Sequence, residues 1–182
     1  MTDPRATAIV EFWFAPGMER RWFASDADFD RQLAERFGAD LALAAQGQLD
    51  HWLERADTAL ALIILLDQVP RNVFRGKYQA FAFDSKALAL AEGALLRGHD
   101  RALAPIRRRF LYLPFEHSEV LADQKYCVSL FEQAGDDSEG LEYARQHLAV
   151  IERFGRFPHR NAALERETTP EEEIYLAQGG GF

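Results

Sequence analysis

The chain has 182 residues, of which 48% are hydrophobic, so a large core can form and a disordered chain is excluded. The formal net charge of −8 argues against binding to nucleic acid or to an anionic membrane, because both need a basic face. The single cysteine, Cys127, excludes an internal disulfide and favours the reducing cytoplasm.

Three helices are predicted in the first quarter of the chain. Asp3 is an N-cap followed by Pro4 at the first helical position, and this helix ends before Pro16. The second helix is predicted over residues 26–38, where a glycine ends it, and the third over residues 40–46. The N-terminal residues lack the charged-then-apolar pattern of a signal peptide, which again predicts a cytoplasmic protein.

A buried central helix is predicted over residues 57–68, which are rich in Ala and Leu and apolar on almost every side. A buried strand is the alternative, but the length of the segment favours a helix. The longest apolar run, residues 59–66, is far shorter than the roughly 20 residues that cross a membrane. Pro70 is expected to end this helix, because a proline pushes the residue before it out of the helical conformation.

Asp67 is an anomaly at the end of the predicted central helix. A negative charge at the carboxyl end of a helix is disfavoured by the helix dipole, so a specific partner is expected. Arg71 and Arg75 follow closely and could supply it. The pair could lock the fold or form part of a site.

Four more helices are predicted in the rest of the chain. Asp84 begins one that Gly98 ends, and two longer helices cover residues 115–134 and 138–154. The last is short and opens at residues 169–172, which have the pattern of a capping box.

No pair of strands is evident, so the predicted fold class is all-α, with antiparallel helix pairs joined by short turns. Residues 1–178 are expected to form a single domain, followed by a flexible tail at residues 179–182.

The helices over residues 115–134 and 138–154 are expected to pair as an antiparallel hairpin. His117 and Gln124 lie on the apolar stripe of the first helix, and His147 lies on that of the second. Positions equidistant from the turn become neighbours, so Gln124 should face the region of His147. The open end of the hairpin is then expected to collect five polar residues: His117, Glu119, Arg156, His159 and Arg160.

Named catalytic patterns are absent: there is no nucleophile elbow, phosphate loop, dinucleotide fingerprint or zinc-protease motif. His117 and His147 could join Glu119 or Asp67 at a metal, but a shared metal site is not expected, because Glu119 projects from the other side of the predicted helix. No cofactor and no metal are predicted.

Three segments carry a resemblance to a known family. They are LDQVPRNVFR at residues 66–75, PFEHSE at residues 114–119 and FGRFPHRN at residues 154–161. Together they resemble a mainly bacterial domain-of-unknown-function family, number nine hundred and twenty-four in that series, over essentially the whole chain. The resemblance implies a tetratricopeptide-like right-handed helical array and no established activity.

The segments of the resemblance contain the same polar residues that the hairpin brings together, which implies one cluster. With the two inward residues of the hairpin, the candidate ligand-binding residues are Asp67, Gln68, Arg71, Asn72, Arg75, His117, Glu119, Gln124, His147, Arg156, His159 and Arg160.

Three functions remain open for this cluster. It could line the polar groove of a binding module for an anionic small molecule or peptide. It could serve an enzyme that uses histidine as a general acid or base, or it could be purely structural. Arginines saturated by protein carboxylates would favour the structural role, and unpaired guanidinium groups in a cleft would favour a ligand site. Trp22 and Phe23 are candidate contacts of a homodimer.

Overall fold

The structure is a computed structural model that describes residues 3–181, and all regular elements in that range are helical. This confirms the predicted all-α fold class. The α-helices are α1 Pro4–Trp13, α2 Ala27–Ala45, α3 Ala56–Ile63, α4 Val69–Val73, α5 Asp84–Leu96, α6 Pro105–Glu116, α7 Leu121–Ala134, α8 Ser138–Phe154 and α9 Pro170–Ala177. A π-helix, Ile64–Gln68, connects α3 to α4.

The described chain divides into two compact units. The first unit comprises residues 3–75 and 79–114, and the second comprises residues 76–78 and 115–181. The prediction of a single domain over residues 1–178 stays a prediction.

The core of the first unit is the continuous buried stretch from α3 through the π-helix into α4, where residues 58–70 are all buried. Helices α1 and α5 pack against α3, and α2 packs against α4. A helix that is apolar all round is expected at the centre of a helical core. The predicted central helix is therefore confirmed.

Aromatic rings pack densely around Phe110 in the first unit. Its ring makes edge contacts with Trp13, Phe14 and Trp22, at centroid distances of 5.7, 5.4 and 4.9 Å. The indole N–H of Trp22 donates to the carbonyl oxygen of Trp13 at 2.8 Å. Trp22 is therefore buried, whereas the side chain of Phe23 is 62% exposed. Of the two candidate dimer contacts, only Phe23 is exposed.

The second unit is built on the antiparallel hairpin of α7 and α8. Gly135 ends α7 with a left-handed φ of 69°, and the carboxylate of Asp137 accepts from the amide of Gly140 to begin α8. Gly155 ends α8 in the same left-handed conformation. The predicted hairpin and its glycine stops are confirmed.

One predicted glycine stop was wrong. Gly38 lies inside α2, which runs without interruption through the two helices predicted over residues 26–38 and 40–46. A Cβ at Gly38 would meet no heavy atom within 4 Å, so this glycine has ordinary helical conformation and open space around it. The helix ends instead near Gly47, whose φ is 80°.

The helix stop predicted at Pro70 was also wrong. Pro70 lies in the first turn of α4, directly after the π-helix, where the amide of Val69 donates to the carbonyl oxygen of Ile64. Because the wide π turn precedes it, Pro70 stands where its missing N–H is tolerated. Pro114 lies inside α6, and the chain leaves the helix only after Glu116.

The C-terminal glycines make defined contacts. The amide of Gly180 donates to the carbonyl oxygen of Tyr175 at 3.0 Å, and that of Gly179 donates to Leu176 at 3.1 Å, which is the hydrogen-bond pattern of a Schellman motif. A Cβ at Gly180 would lie 2.5 Å from the Tyr175 ring. The expected flexibility of residues 179–182 stays a prediction, and Phe182 lies outside the described residues.

We expect Gly140→Ala to destabilise the protein although alanine favours helix. A Cβ at Gly140 would lie 2.5 Å from the buried Phe131 ring and 2.8 Å from the capping carboxylate of Asp137. Such overpacking costs about 1–3 kcal/mol in the free energy of unfolding. Urea denaturation of the purified variant measures it.

Gly38→Ala is the matched control, because Gly38 is helical and has free space. It should raise the free energy of unfolding by about 0.5–1 kcal/mol, the usual preference for alanine over glycine in a helix. Equal effects of the two substitutions would contradict the packing described for Gly140.

Candidate functional site

The twelve candidate residues fall into both units. Five lie in the first unit: Asp67, Gln68, Arg71, Asn72 and Arg75. Seven lie in the second unit: His117, Glu119, Gln124, His147, Arg156, His159 and Arg160. Within each unit the structure brings most of these residues together.

Arg71 is the centre of the first-unit group. It forms a bidentate ion pair with Asp84, at 2.7 and 3.0 Å, and donates to the carbonyl oxygen of Asp67 at 2.9 Å. The carboxylate of Asp67 lies 3.5 Å from Arg71 and accepts from the Gln68 amide at 2.6 Å. Burial lowers the pKa of Arg71, but the negative charges of Asp67 and Asp84 outweigh it and raise that pKa overall. The expected partner of Asp67 is confirmed, but Asp84 was missed.

Arg75 is held in the same way. Its guanidinium group donates twice to Asp30 at 3.1 Å, and also to the side-chain oxygen of Asn72 and the carbonyl oxygen of Ala24. The amide of Asn72 in turn donates to the carbonyl oxygen of Gln68 at 3.0 Å. Both guanidinium groups are therefore held by carboxylates of the first unit, although within residues 3–181 no acceptor pairs with Nε of Arg71 or with Nη1 of Arg75.

In the second unit, Gln124 holds the turn between α6 and α7. Its buried amide donates to the carbonyl oxygens of Glu116 and Ser118 at 2.5 and 2.6 Å. The hydroxyl of Ser118 donates to Asp123 and accepts from the amide of Val120. This local hydrogen bonding explains why α7 begins at Leu121 rather than at the predicted residue 115.

His117 and the loop after α8 come together as the hairpin predicted. Arg160 donates to the carbonyl oxygen of His117 at 3.0 Å, and its guanidinium group lies 4.5 Å from the centre of the Phe157 ring. The ring of His147 lies 6.3 Å from that of His117 and 5.6 Å from that of Phe157. The Phe157 ring lies equally close to His159, at 5.6 Å. These four polar residues around Phe157 form what we call the imidazole cluster.

The imidazole of His147 is buried and uncharged. Its pKa is lowered to about 3, mainly by burial; electrostatic interactions with His117, Arg160 and His159 act in the same direction, and a hydrogen bond with Tyr143 opposes them. Nδ1 lies 2.9 Å from the carbonyl oxygen of Tyr143 and 3.4 Å from the carboxylate of Glu116. The carbonyl oxygen of Tyr143 is the closer acceptor, so it favours the tautomer of His147 that carries the proton on Nδ1.

Glu119 joins two parts of the second unit. Its carboxylate accepts from the amide of Phe157 at 2.8 Å and from both terminal nitrogens of Arg166 at 2.9 and 2.8 Å. Burial raises the pKa of Glu119, but the donors Arg166 and Phe157 outweigh it, so the pKa is lowered overall. Arg166 was not a predicted site residue.

Arg156 is held by the first turn of α9. Its Nε and Nη2 donate to the two carboxylate oxygens of Glu172 at 2.7 and 2.8 Å, and Nη2 also donates to the carbonyl oxygen of Glu167. Glu172 closes the predicted capping box, because its carboxylate accepts from the amide of Thr169. Hydrogen bonds from Arg156 lower the pKa of Glu172 to about 2.

A cavity of about 560 Å³ opens beside Arg156. It is lined by Arg156, Arg166, Glu167, Thr168, Thr169 and Pro170. Within residues 3–181, no acceptor pairs with Nη1 of Arg156 or with Nε of Arg166. The hydroxyl of Thr168 accepts from Asn161, and that of Thr169 accepts from the amide of Glu172, so both hydroxyl hydrogens remain available.

The cavity lining was missed by sequence reasoning except for Arg156. The capping-box pattern at residues 169–172 was the available signal, because it placed a carboxylate beside the loop. Across residues 3–181, no three His, Cys, Asp or Glu side chains are grouped so as to hold a metal ion. None of the helices in the described chain has both the length and the apolar character needed to cross a membrane.

Two comparisons relate the chain to known proteins. The family described as "Bacterial protein of unknown function (DUF924)" matches residues 9–180. The chain is also similar to a solved structure of a protein of unknown function, ATU0120, from Agrobacterium tumefaciens. The two share 46% sequence identity with a TM-score of 0.90, over 96% of this chain and 97% of that one. No curated protein matches the chain.

We expect Glu172 to make stability depend on pH in the acid range. Its pKa falls from 4.5 to about 2 on folding, so its stabilisation is fully present above pH 4.5 and is lost as the pH falls through about 2. The difference in unfolding free energy between wild type and Glu172→Gln should therefore shrink from pH 5 to pH 2. Urea titrations at several pH values measure this difference.

Glu171→Gln is the control, because it removes a charge from the same turn at a side chain that is 63% exposed. A Glu172→Gln difference that stays constant down to pH 2 would contradict the ion pair with Arg156.

Proposed function

The chain belongs to the DUF924 family of bacterial proteins of unknown function, and from its own geometry we propose that it is a binding module for an anionic small molecule or peptide. The ligand occupies the cavity beside Arg156, and its oxyanion accepts from the groups that line it. A tetratricopeptide-like stacking of the helices and a cytoplasmic location belong to the same proposal.

The observation that carries the proposal is that two arginine N–H groups in the cavity wall have no acceptor within the described part of the chain. Arg156 keeps Nη1 and Arg166 keeps Nε without a partner among residues 3–181, and both side chains are 28% exposed. The hydroxyls of Thr168 and Thr169 add two more donors. A cavity lined by uncommitted donors favours a ligand with several acceptor oxygens.

The ion pairs behind the wall favour binding as well. Glu172 and Glu119 fix the planes of the two guanidinium groups through bidentate hydrogen bonds. A donor that is already held in place loses less entropy when a ligand binds. The wall is therefore preorganised.

The other candidate residues support the cavity in this proposal. Arg71 and Arg75 are committed to carboxylates of the first unit, so we assign them to the stability of the fold. The imidazole cluster fixes the loop that carries Arg156. Direct ligand contacts by these groups stay predictions.

An enzyme that uses His147 is the second candidate, favoured by the 3.4 Å contact of this imidazole with Glu116. The pKa of about 3 weighs against it, because so weak a base accepts a proton poorly near neutral pH.

Titration with methanesulfonate tests the proposal by NMR. We expect saturable shifts of the Arg166 Nε–H signal and of the Thr168 and Thr169 amides in the ¹H–¹⁵N spectrum. Arg166→Lys should weaken binding by about tenfold or more, because lysine keeps the charge beside Glu119 but lacks the planar N–H edge.

Arg145→Lys is the matched control, because Arg145 forms an exposed ion pair with Glu132 on the α7–α8 hairpin and does not line the cavity. Its titration should match wild type. An absence of saturable shifts, or equal weakening in both variants, would refute the proposal.

A further inference from the structure

The wall of the cavity beside Arg156 offers hydrogen bonds without net positive charge. The guanidinium groups of Arg156 and Arg166 are neutralised by Glu172 and Glu119, and Glu167 adds a third carboxylate to the surroundings. The donors remain, because each guanidinium group keeps one free N–H edge. An arginine site usually offers a ligand both positive charge and N–H donors. This wall offers the donors, but carboxylates cancel the charge.

We infer that this cavity selects a head group with one negative charge and several acceptor oxygens, such as a sulfonate or a phosphodiester, over a dianionic phosphate monoester. The inference rests on the proposed function and names its ligand class. A single charge suffices to strengthen the hydrogen bonds from the arginines. A second charge gains little and is repelled by the three carboxylates.

The number of donors decides between kinds of monoanion. Arg156, Arg166, Thr168 and Thr169 together present four donor groups, which would occupy all of the roughly four lone-pair sites of a carboxylate. A sulfonate has three oxygens at one charge, and it matches the wall better. The cavity is open to solvent on one side, so an organic group attached to such a head group can extend outward.

The carboxylates of Glu172 and Glu119 keep their charge over the pH range needed for a test. The pKa values of Glu172 and Glu119 are both lowered, because each accepts hydrogen bonds from an arginine. Glu167, the third carboxylate, is exposed. Lowering the pH from about 8 to about 5.5 therefore changes a phosphate monoester, whose second pKa is about 6, more than it changes the wall.

Four matched probes test the inference by titration calorimetry of the full chain: benzenesulfonate, methyl phenyl phosphate, phenyl phosphate and benzoate. At about pH 8 we expect the two oxygen-rich monoanions to bind about fivefold or more tightly than phenyl phosphate. Benzoate should bind more weakly than benzenesulfonate. At about pH 5.5 phenyl phosphate should gain affinity, whereas benzenesulfonate, which does not titrate, controls for changes in the protein.

The outcomes separate the two claims. Phenyl phosphate binding more tightly than benzenesulfonate at about pH 8, with a steep loss of affinity in salt, would overturn the inference and leave the binding module intact. Binding of none of the four probes would overturn the proposed function itself. The Arg166→Lys and Arg145→Lys variants are measured in parallel. Binding that weakens only in Arg166→Lys takes place in the cavity, whereas equal binding in both variants takes place elsewhere.

Discussion

The carboxylate of Glu172 is the constraint on which the second unit depends. It is 2% exposed, and a carboxylate withdrawn so far from water must be matched by donors. Four hydrogen bonds do this: two come from Arg156, one from the amide of Thr169 and one from the side chain of Asn161. These bonds fix the start of α9, the plane of Arg156 and the shape of the cavity together. Loss of the negative charge of Glu172 would therefore disturb the start of α9, the orientation of Arg156 and the cavity together.

The same arrangement recurs in both units, where Arg71 pairs with Asp84 and Arg166 pairs with Glu119. In a chain with a net charge of −8, carboxylates are abundant, and an arginine near one is neutralised before any ligand arrives. The presence of arginine in a sequence is therefore weak evidence for an anion site. The useful evidence is an N–H edge that the ion pair leaves free, and only coordinates show it.

Local signals in the sequence were enough for most of the fold. The caps at Asp3 and Thr169 and the turn glycines act within a few residues, so their effects could be predicted. The errors at Gly38 and Pro70 arose because surrounding structure, an unbroken α2 and a π turn, outweighed a local preference. For the site, hairpin symmetry brought His117 to the loop after α8. The partner carboxylates lie too far away in sequence to be predicted, as in the pair of Arg166 with Glu119, 47 residues apart.

The carboxylate of Glu119 connects the imidazole cluster to the cavity wall, so a movement of one affects the position of the other. Glu119 accepts from Arg166 in the cavity wall and from the amide of Phe157, whose ring contacts His147 and His159. Any movement of Arg166 would change its bonds with Glu119 and so affect the amide of Phe157, the other donor to that carboxylate. Buried aromatic packing opposes any movement of the loop in response. In the proposed binding module, the cluster is therefore the rigid support of the cavity wall.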